Sequence, residues 1–187
     1  MKPAHSGVKL TYDDFLLFPD DGKRHELIDG EHYVTPTPVC RHQAIVGNIY
    51  YGIRRYLEAH PIGKFFGAPL DVILSQFDVV EPDLIFVSNE RAGEILKDWV
   101  RGAPDIVIEV ASPSTRRRDE TIKRRLYEGF GVVEYWIADP DLDAMRIHRR
   151  QGGGFERPIE LSSEAGDVLT TPLLPGLQLL LADILKD

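Results

Sequence analysis

The sequence contains one cysteine and no long uninterrupted hydrophobic segment. Cys40 stands alone among 187 residues, which excludes an intrachain disulfide and a cysteine-based zinc cage. The N-terminal segment has no apolar run of the signal-peptide type, and the longest apolar stretch, residues 173–185, is interrupted by Pro175 and Asp183. A bilayer span needs about 20 apolar residues. We therefore expect a cytoplasmic protein with no membrane segment.

Net positive charge is also lacking. The formal net charge is −8, and a field of that sign repels nucleic acids, whose binding surfaces are usually basic. The basic residues are nevertheless concentrated at one place in the chain: Arg116, Arg117, Arg118, Lys123, Arg124 and Arg125. This cluster is either a solvated helix face or a local contact with phosphate, so a local nucleic acid contact stays open.

Internal repeats and low-complexity linkers are absent, and the composition is that of an ordinary globular protein. Apolar residues make up 43% and charged residues 28% of the chain, which is too apolar for a disordered protein. The length suits one domain over residues 1–187.

Helical and strand patterns alternate in the middle of the sequence, with hairpin patterns on both sides. Capping signals and apolar spacing predict a short helix between Thr11 and Pro19 and helices over residues 41–60 and 119–130. On the last of these, Ile122, Leu126 and Phe130 are expected to face the core. Strands are predicted over residues 24–28, 32–35, 65–74, 79–87, 105–111, 132–138, 145–150 and 155–161. The expected fold class is α/β (α+β), a mixed central β-sheet flanked by helices with N-terminal and C-terminal hairpins.

Glu109 is a carboxylate inside a strand that is otherwise apolar. It lies within the segment IVIEV at residues 106–110, a composition typical of a strand covered on both faces. An ionised carboxylate there costs several kcal/mol unless a cation or several donors satisfy it. We therefore expect a positive partner beside Glu109.

Asp83 has a similar setting at the head of a strand. It follows Pro82 and opens the apolar segment at residues 84–87, where proline removes no central hydrogen bond. Two such carboxylates on neighbouring strands would form the oxygen-rich site that Mg²⁺ prefers. Alternatively, each carboxylate forms a structural salt bridge with an arginine.

Several segments resemble one nuclease family. EPD at residues 81–83, IVIEV at 106–110 and Lys123 resemble the PD-(D/E)XK nuclease signature. HELIDGE at 25–31, RHQAIVGN at 41–48, APLDVIL at 68–74, GAPD at 102–105, SPSTR at 112–116 and EYWIADP at 134–140 are similar to the Uma-two family of restriction endonucleases. The resemblance runs from about Glu26 to Pro140. It implies a restriction-endonuclease-like fold, DNA as substrate, and Mg²⁺ or Mn²⁺ bound by Asp83 and Glu109.

The resemblance also implies roles for residues beyond these two carboxylates. Ala111 stands where the E-x-K pattern would place its lysine, so the catalytic lysine is expected on the next helix, as Lys123. A helix-surface lysine is the alternative. Glu26 would be a further catalytic acid facing the same cleft, and Asp71 would add an outer metal contact unless it lies on a solvated edge. Arg116 and Arg124 are candidate phosphate contacts.

The leading hypothesis is a metal-dependent DNA endonuclease. Two alternatives stay open, since a fold does not determine a function: an inactive binding or assembly module, and a metallohydrolase of a smaller phosphoester. The leucines near the C-terminus and the symmetry of duplex DNA favour a homodimer.

Overall fold

The structure is a computed structural model that describes residues 8–186. Its helices are α1 Tyr12–Phe15, α2 Cys40–Ala59, α3 Asn89–Ile95, α4 Arg116–Arg118, α5 Arg124–Phe130 and α6 Leu181–Ile184, with a π-helical turn, Asp119–Lys123, joining α4 to α5. Its strands are β1 Arg24–Ile28, β2 Glu31–Thr35, β3 Gly63–Gly67, β4 Val72–Ser75, β5 Asp78–Val80, β6 Leu84–Ser88, β7 Val100–Arg101, β8 Ile106–Val110, β9 Glu134–Asp139, β10 Ala144–Gln151, β11 Gly154–Phe155, β12 Ile159–Ser162, β13 Val168–Thr171 and β14 Leu174–Leu180. Within residues 8–186, no helix is both long and apolar enough to cross a membrane.

The expected mixed sheet lies at the centre of the fold. Its strands follow the order β11-β10-β9-β8-β6-β3, and β12 also pairs with β10. β8 and β9 run parallel, whereas β6 and β8 are antiparallel. One face packs on α2 and the C-terminal segment, and the other carries α5 and the remaining sheet. Both faces are therefore covered, which explains the nearly continuous apolar sequence of β8.

A second sheet has the order β2-β1-β5-β4-β7. Its first hairpin is the predicted one, because Asp29 and Gly30 both have positive φ, 53° and 73°, as a two-residue turn of this kind requires. The predicted hairpin of residues 65–74 with 79–87 is wrong as a single unit. Only β4 and β5 form a tight hairpin, whereas β3 and β6 pair with each other in the central sheet. The chain changes sheet near Pro69 and Pro82, where proline cannot donate a ladder hydrogen bond.

The helical run that carries Lys123 turns a face inward that matches the predicted one only in part, since Leu126 packs against the core as expected. Ile122 and Phe130 are exposed, whereas Asp119, Lys123 and Tyr127 are buried. Residues four apart on an α-helix drift by about 40° around its axis at each step. The turn beginning at Asp119 is wider, since the Arg124 N–H donates to the Asp119 carbonyl. This π turn keeps the three polar residues on one line.

The C-terminal leucines belong largely to the core of this chain. Leu174, Leu177 and Leu181 are buried in the same cluster as the apolar face of α2, and β14 pairs with β13. Among the leucines of residues 173–181, only Leu180 is substantially exposed. These side chains therefore no longer supply an argument for a homodimer.

Candidate active site

Two carboxylates share one face of the central sheet beside a cavity of about 230 Å³. Side chains alternate between faces along a strand, so Asp83 shares a face with Ile85, and Glu109 with Val107, both of which lie on the α5 side. β6 and β8 are neighbours. The cavity lining includes both carboxylates together with Arg24, His42, Glu81, Lys123 and residues 112–115. The structure therefore brings Asp83 and Glu109 into one cleft.

Three donors hold the Asp83 carboxylate. Arg24 Nη1 donates to Oδ1 at 2.8 Å, the Val110 N–H donates to Oδ2 at 2.9 Å, and His42 Nε2 lies 3.1 Å from Oδ2. Burial by itself raises the pKa of Asp83, but His42, Arg24 and the Val110 N–H together lower that pKa to about 2. Asp83 is therefore ionised at neutral pH.

Lys123 lies between two carboxylates in the interior. Its Nζ is 2.8 Å from Glu109 Oε1 and 2.8 Å from Glu26 Oε1, and Tyr127 Oη donates to Glu109 Oε1 at 3.0 Å. Glu26 Oε1 also accepts from the Glu81 N–H at 3.0 Å. Burial would lower the pKa of Lys123, yet the carboxylates of Glu109, Glu26 and Asp119 raise it above its ordinary value. The ammonium is thus held in its charged form.

The cluster holds more negative than positive charge. Burial, together with the charges of Asp119, Asp83 and Glu26, raises the pKa of Glu109 to about 8 although Lys123 opposes the shift. Burial also raises the pKa of Glu81 to about 7 against the effect of Arg24. The upward direction for Glu109 follows from the arrangement, since three other carboxylates lie near it and its ammonium partner, Lys123, is shared with Glu26. Protons neutralise the surplus near neutral pH.

Metal-free protein is expected to lose stability as the pH rises through the range in which Glu109 loses its proton. The ordinary pKa of this carboxyl is 4.5, and in the folded protein it is about 8. The folded state therefore holds the extra proton between these values, and the free energy of unfolding falls with rising pH there. The stability that this proton contributes is fully present below pH 4.5 and is lost above about pH 8. Thermal unfolding in EDTA across this range measures the fall, and Glu109→Gln is expected to flatten it. An equally steep fall in Glu109→Gln would contradict the assignment.

The donor chemistry of this cleft fits a hard divalent cation. Asp83 and Glu109 offer carboxylate oxygens, and the surplus negative charge would be neutralised by such an ion. Within residues 8–186, however, no group of three or more His, Cys, Asp or Glu side chains is already arranged to hold a metal. A cation would therefore have to displace present hydrogen bonds from Asp83, or the proton that Glu109 keeps near neutral pH because its pKa is raised.

The other predicted site residues have different surroundings. Asp71 does not line the cavity, although it lies close enough to Glu81 to raise the pKa of that carboxyl. Arg116 Nη2 contacts Asp139 at 2.6 Å and Asp141 at 2.7 Å. Arg124 Nη1 contacts Glu128 at 3.2 Å. Both arginines thus have carboxylate partners within the chain.

Sequence reasoning missed His42 and Arg24 as partners of Asp83. His42 is buried, and its Nδ1 has no hydrogen-bond partner among the described residues. Helical spacing was the available signal, because His42 lies three residues before buried Ile45 on the same face of α2. No local signal marks Arg24, which reaches Asp83 from β1.

A mixed sheet with an aspartate at the head of one strand, a glutamate within the next and an inward-facing lysine defines a restriction-endonuclease-like protein. The sequence profile of the Uma2 family, described as "Putative restriction endonuclease", matches residues 12–182. The chain therefore belongs to the Uma2 family.

The fold is also similar to a solved structure. That structure, from Anabaena variabilis, is described as a "putative nuclease belonging to DUF820". The TM-score is 0.79 at 22% sequence identity, covering 94% of this chain and 97% of that one. None of the curated proteins searched matches the sequence.

Proposed function

We propose that the protein is a metal-dependent endonuclease that hydrolyses DNA phosphodiester bonds. The observation that carries the proposal is the placement of the Lys123 ammonium 2.8 Å from Glu109 Oε1, on the wall of the cavity that Asp83 also lines. Family membership and the nuclease description of the Anabaena variabilis protein support the same activity.

Asp83 and Glu109 would hold a Mg²⁺ or Mn²⁺ ion, whereas Asp71, which does not line the cavity, would make only an outer contact with the hydrated ion. Such an ion, when bound, polarises a phosphoryl oxygen and lowers the pKa of a water molecule. Lys123 would stabilise the negative charge that develops on the phosphoryl oxygens. Glu26 would keep Lys123 charged and oriented from the opposite side of its ammonium.

Incubation of purified protein with supercoiled plasmid and Mg²⁺ or Mn²⁺ is expected to give nicked or linear DNA. Glu109→Ala is expected to abolish the conversion, since it removes one of the two proposed metal-binding carboxylates. Glu160→Ala is the matched control, because that exposed glutamate lies on β12 outside the cavity. Intact plasmid with folded, metal-loaded wild-type protein would refute the activity and favour a binding module of the same fold.

A homodimer remains part of the proposal, because two active sites are the simplest way to cut both strands of a duplex. Light scattering at micromolar concentration is expected to give twice the mass of the chain. A monomer that still converts plasmid to nicked circles would show that the protein cuts one strand at a time.

A further inference from the structure

The cleft continues past Asp83 into a second cavity. This cavity has a volume of about 520 Å³ and shares Arg24, Pro38 and Asp83 with the first one. We call it the α2 lobe, because Gln43, Val46, Gly47 and Tyr50 of α2 form one of its walls. Ala68, Pro69 and Leu84 lie among the residues that face them. The lobe is thus continuous with the proposed catalytic cleft but mostly apolar.

Tyr50 presents an aromatic ring to the α2 lobe. The residue is 38% exposed, and its ring centroid lies 5.6 Å from that of Phe65, which packs beside it. At Gly67 a Cβ would lie 3.7 Å from Tyr50 Cδ2, whereas at Gly47 a Cβ would meet no atom within 4 Å. The ring is therefore supported by its neighbours while open space remains beside it. A supported, half-exposed ring of this kind is suited to stacking on a planar group.

The cations of the cleft are already engaged by groups of the chain. Arg24 contacts Asp83, Lys123 contacts Glu109 and Glu26, and Arg118 Nη2 donates to Thr35 Oγ1 at 2.6 Å. Among the described residues that line the α2 lobe, Arg24 is the only lysine or arginine, and it comes from β1 rather than from α2. Such a lobe does not suit a phosphate backbone, which is bound by rows of basic side chains.

We propose that the α2 lobe binds an unpaired nucleobase, stacked on Tyr50, next to the phosphate that the proposed metal ion at Asp83 and Glu109 would contact. The preferred substrate is then single-stranded DNA or a duplex with frayed or flipped-out nucleotides, because a paired base is stacked inside the helix and cannot reach the ring. This inference rests on the proposed nuclease function, which supplies the assumption that the bound phosphate belongs to DNA. What the inference adds is that the cleft prefers unpaired over paired strands.

Fluorescence anisotropy with a short labelled oligothymidylate tests the proposal. Ca²⁺ is present as a divalent cation that takes oxygen ligands, and a gel after each titration verifies that the strand is intact. Tyr50→Ala is expected to weaken binding about fivefold to a hundredfold, since base–aromatic stacking contributes about 1–3 kcal/mol per base. Tyr50→Phe should keep the wild-type affinity. Tyr51→Ala is the matched control, because Tyr51 follows Tyr50 on α2 but lines a different cavity.

Gly47→Leu provides a second, independent variant. Its Cβ would meet open space, and leucine is a better helix former than glycine, so this variant is expected to fold. Its side chain would project into the α2 lobe and should weaken binding of the oligothymidylate as Tyr50→Ala does. Binding of a fully paired hairpin should be weaker than that of the single strand in the wild type.

The outcomes separate this inference from the proposed function. Undiminished binding of oligothymidylate by both Tyr50→Ala and Gly47→Leu overturns the inference, as does wild-type protein that binds only the paired hairpin, even if plasmid is cut. Tyr50-dependent binding of the single strand supports the inference even if no DNA is cleaved, in which case the nuclease activity is what fails.

Discussion

Lys123→Ala is expected to lower the rate of DNA cleavage about a hundredfold to a thousandfold, the usual cost of losing one electrostatic partner of a transition state. Lys123 supplies the ammonium nearest to Glu109, at 2.8 Å. Lys123→Arg should recover little activity, because a planar fork does not replace a compact charge held between two carboxylates. Single-turnover cleavage of a labelled DNA strand at saturating enzyme measures the rate.

Arg124→Ala is the matched control for Lys123→Ala. The two residues are adjacent, but Arg124 is partly exposed and contacts Glu128 on the same helix. Arg124→Ala should keep the single-turnover cleavage rate of the wild type. Any change in its affinity for DNA should depend on the salt concentration. Wild-type activity in Lys123→Ala would show that Lys123 is not the catalytic lysine, and Arg116 would be the next cation to test.

Folding of the Lys123 variants needs a separate measurement, because the structure changes the expectation for stability. A lysine at the surface of its helix could be removed at little cost. Lys123 is instead buried with Glu26 and Glu109, and removing one member of a buried ion pair costs about 3–5 kcal/mol. Lys123→Met combined with Glu26→Gln removes opposite charges together and should retain more stability than Lys123→Ala. Urea unfolding compares them, and loss of cleavage in the folded double variant assigns the effect to chemistry.

Asp83→Ala is expected to abolish metal-dependent cleavage and to lower the free energy of unfolding by about 3 kcal/mol, near the lower end of the cost of breaking a buried ion pair. The estimate is at the lower end because Arg24 keeps some access to water. The substitution leaves three donors without their acceptor: Arg24 Nη1, His42 Nε2 and the Val110 N–H. Asp83→Asn keeps the size of the side chain and should lose cleavage with a smaller loss of stability.

Plasmid cleavage and urea unfolding of the same preparations measure the two effects. Asp98→Asn is the control, since that exposed aspartate lies outside the cavity. Full cleavage by Asp83→Asn would remove Asp83 from the proposed metal site. Unchanged stability of Asp83→Ala would mean that Arg24 and His42 find other partners.

The local elements could be predicted because each depends on residues that are near one another in the chain. The Asp29-Gly30 turn, the long helix α2 and the apolar strand β8 all have patterns of this kind. The same patterns failed at the helical run that carries Lys123, because apolar spacing pointed to Ile122 and Phe130 while the π turn directs polar residues inward. Prediction from apolar spacing assumes that the apolar side chains of a helix face the core, and a buried polar cluster at a functional site breaks that assumption.

The sequence by itself determined that a carboxylate stands in a buried strand at Glu109, that another heads a strand at Asp83, and that each needs a cation or donors. Only the tertiary structure decided which groups supply them. Arg24 reaches Asp83 across 59 positions of the chain, and Lys123 is shared between Glu109 and Glu26. Local patterns encode helices and strands, whereas ion pairs between distant segments depend on the packing of sheet and helix, which no short stretch of sequence contains.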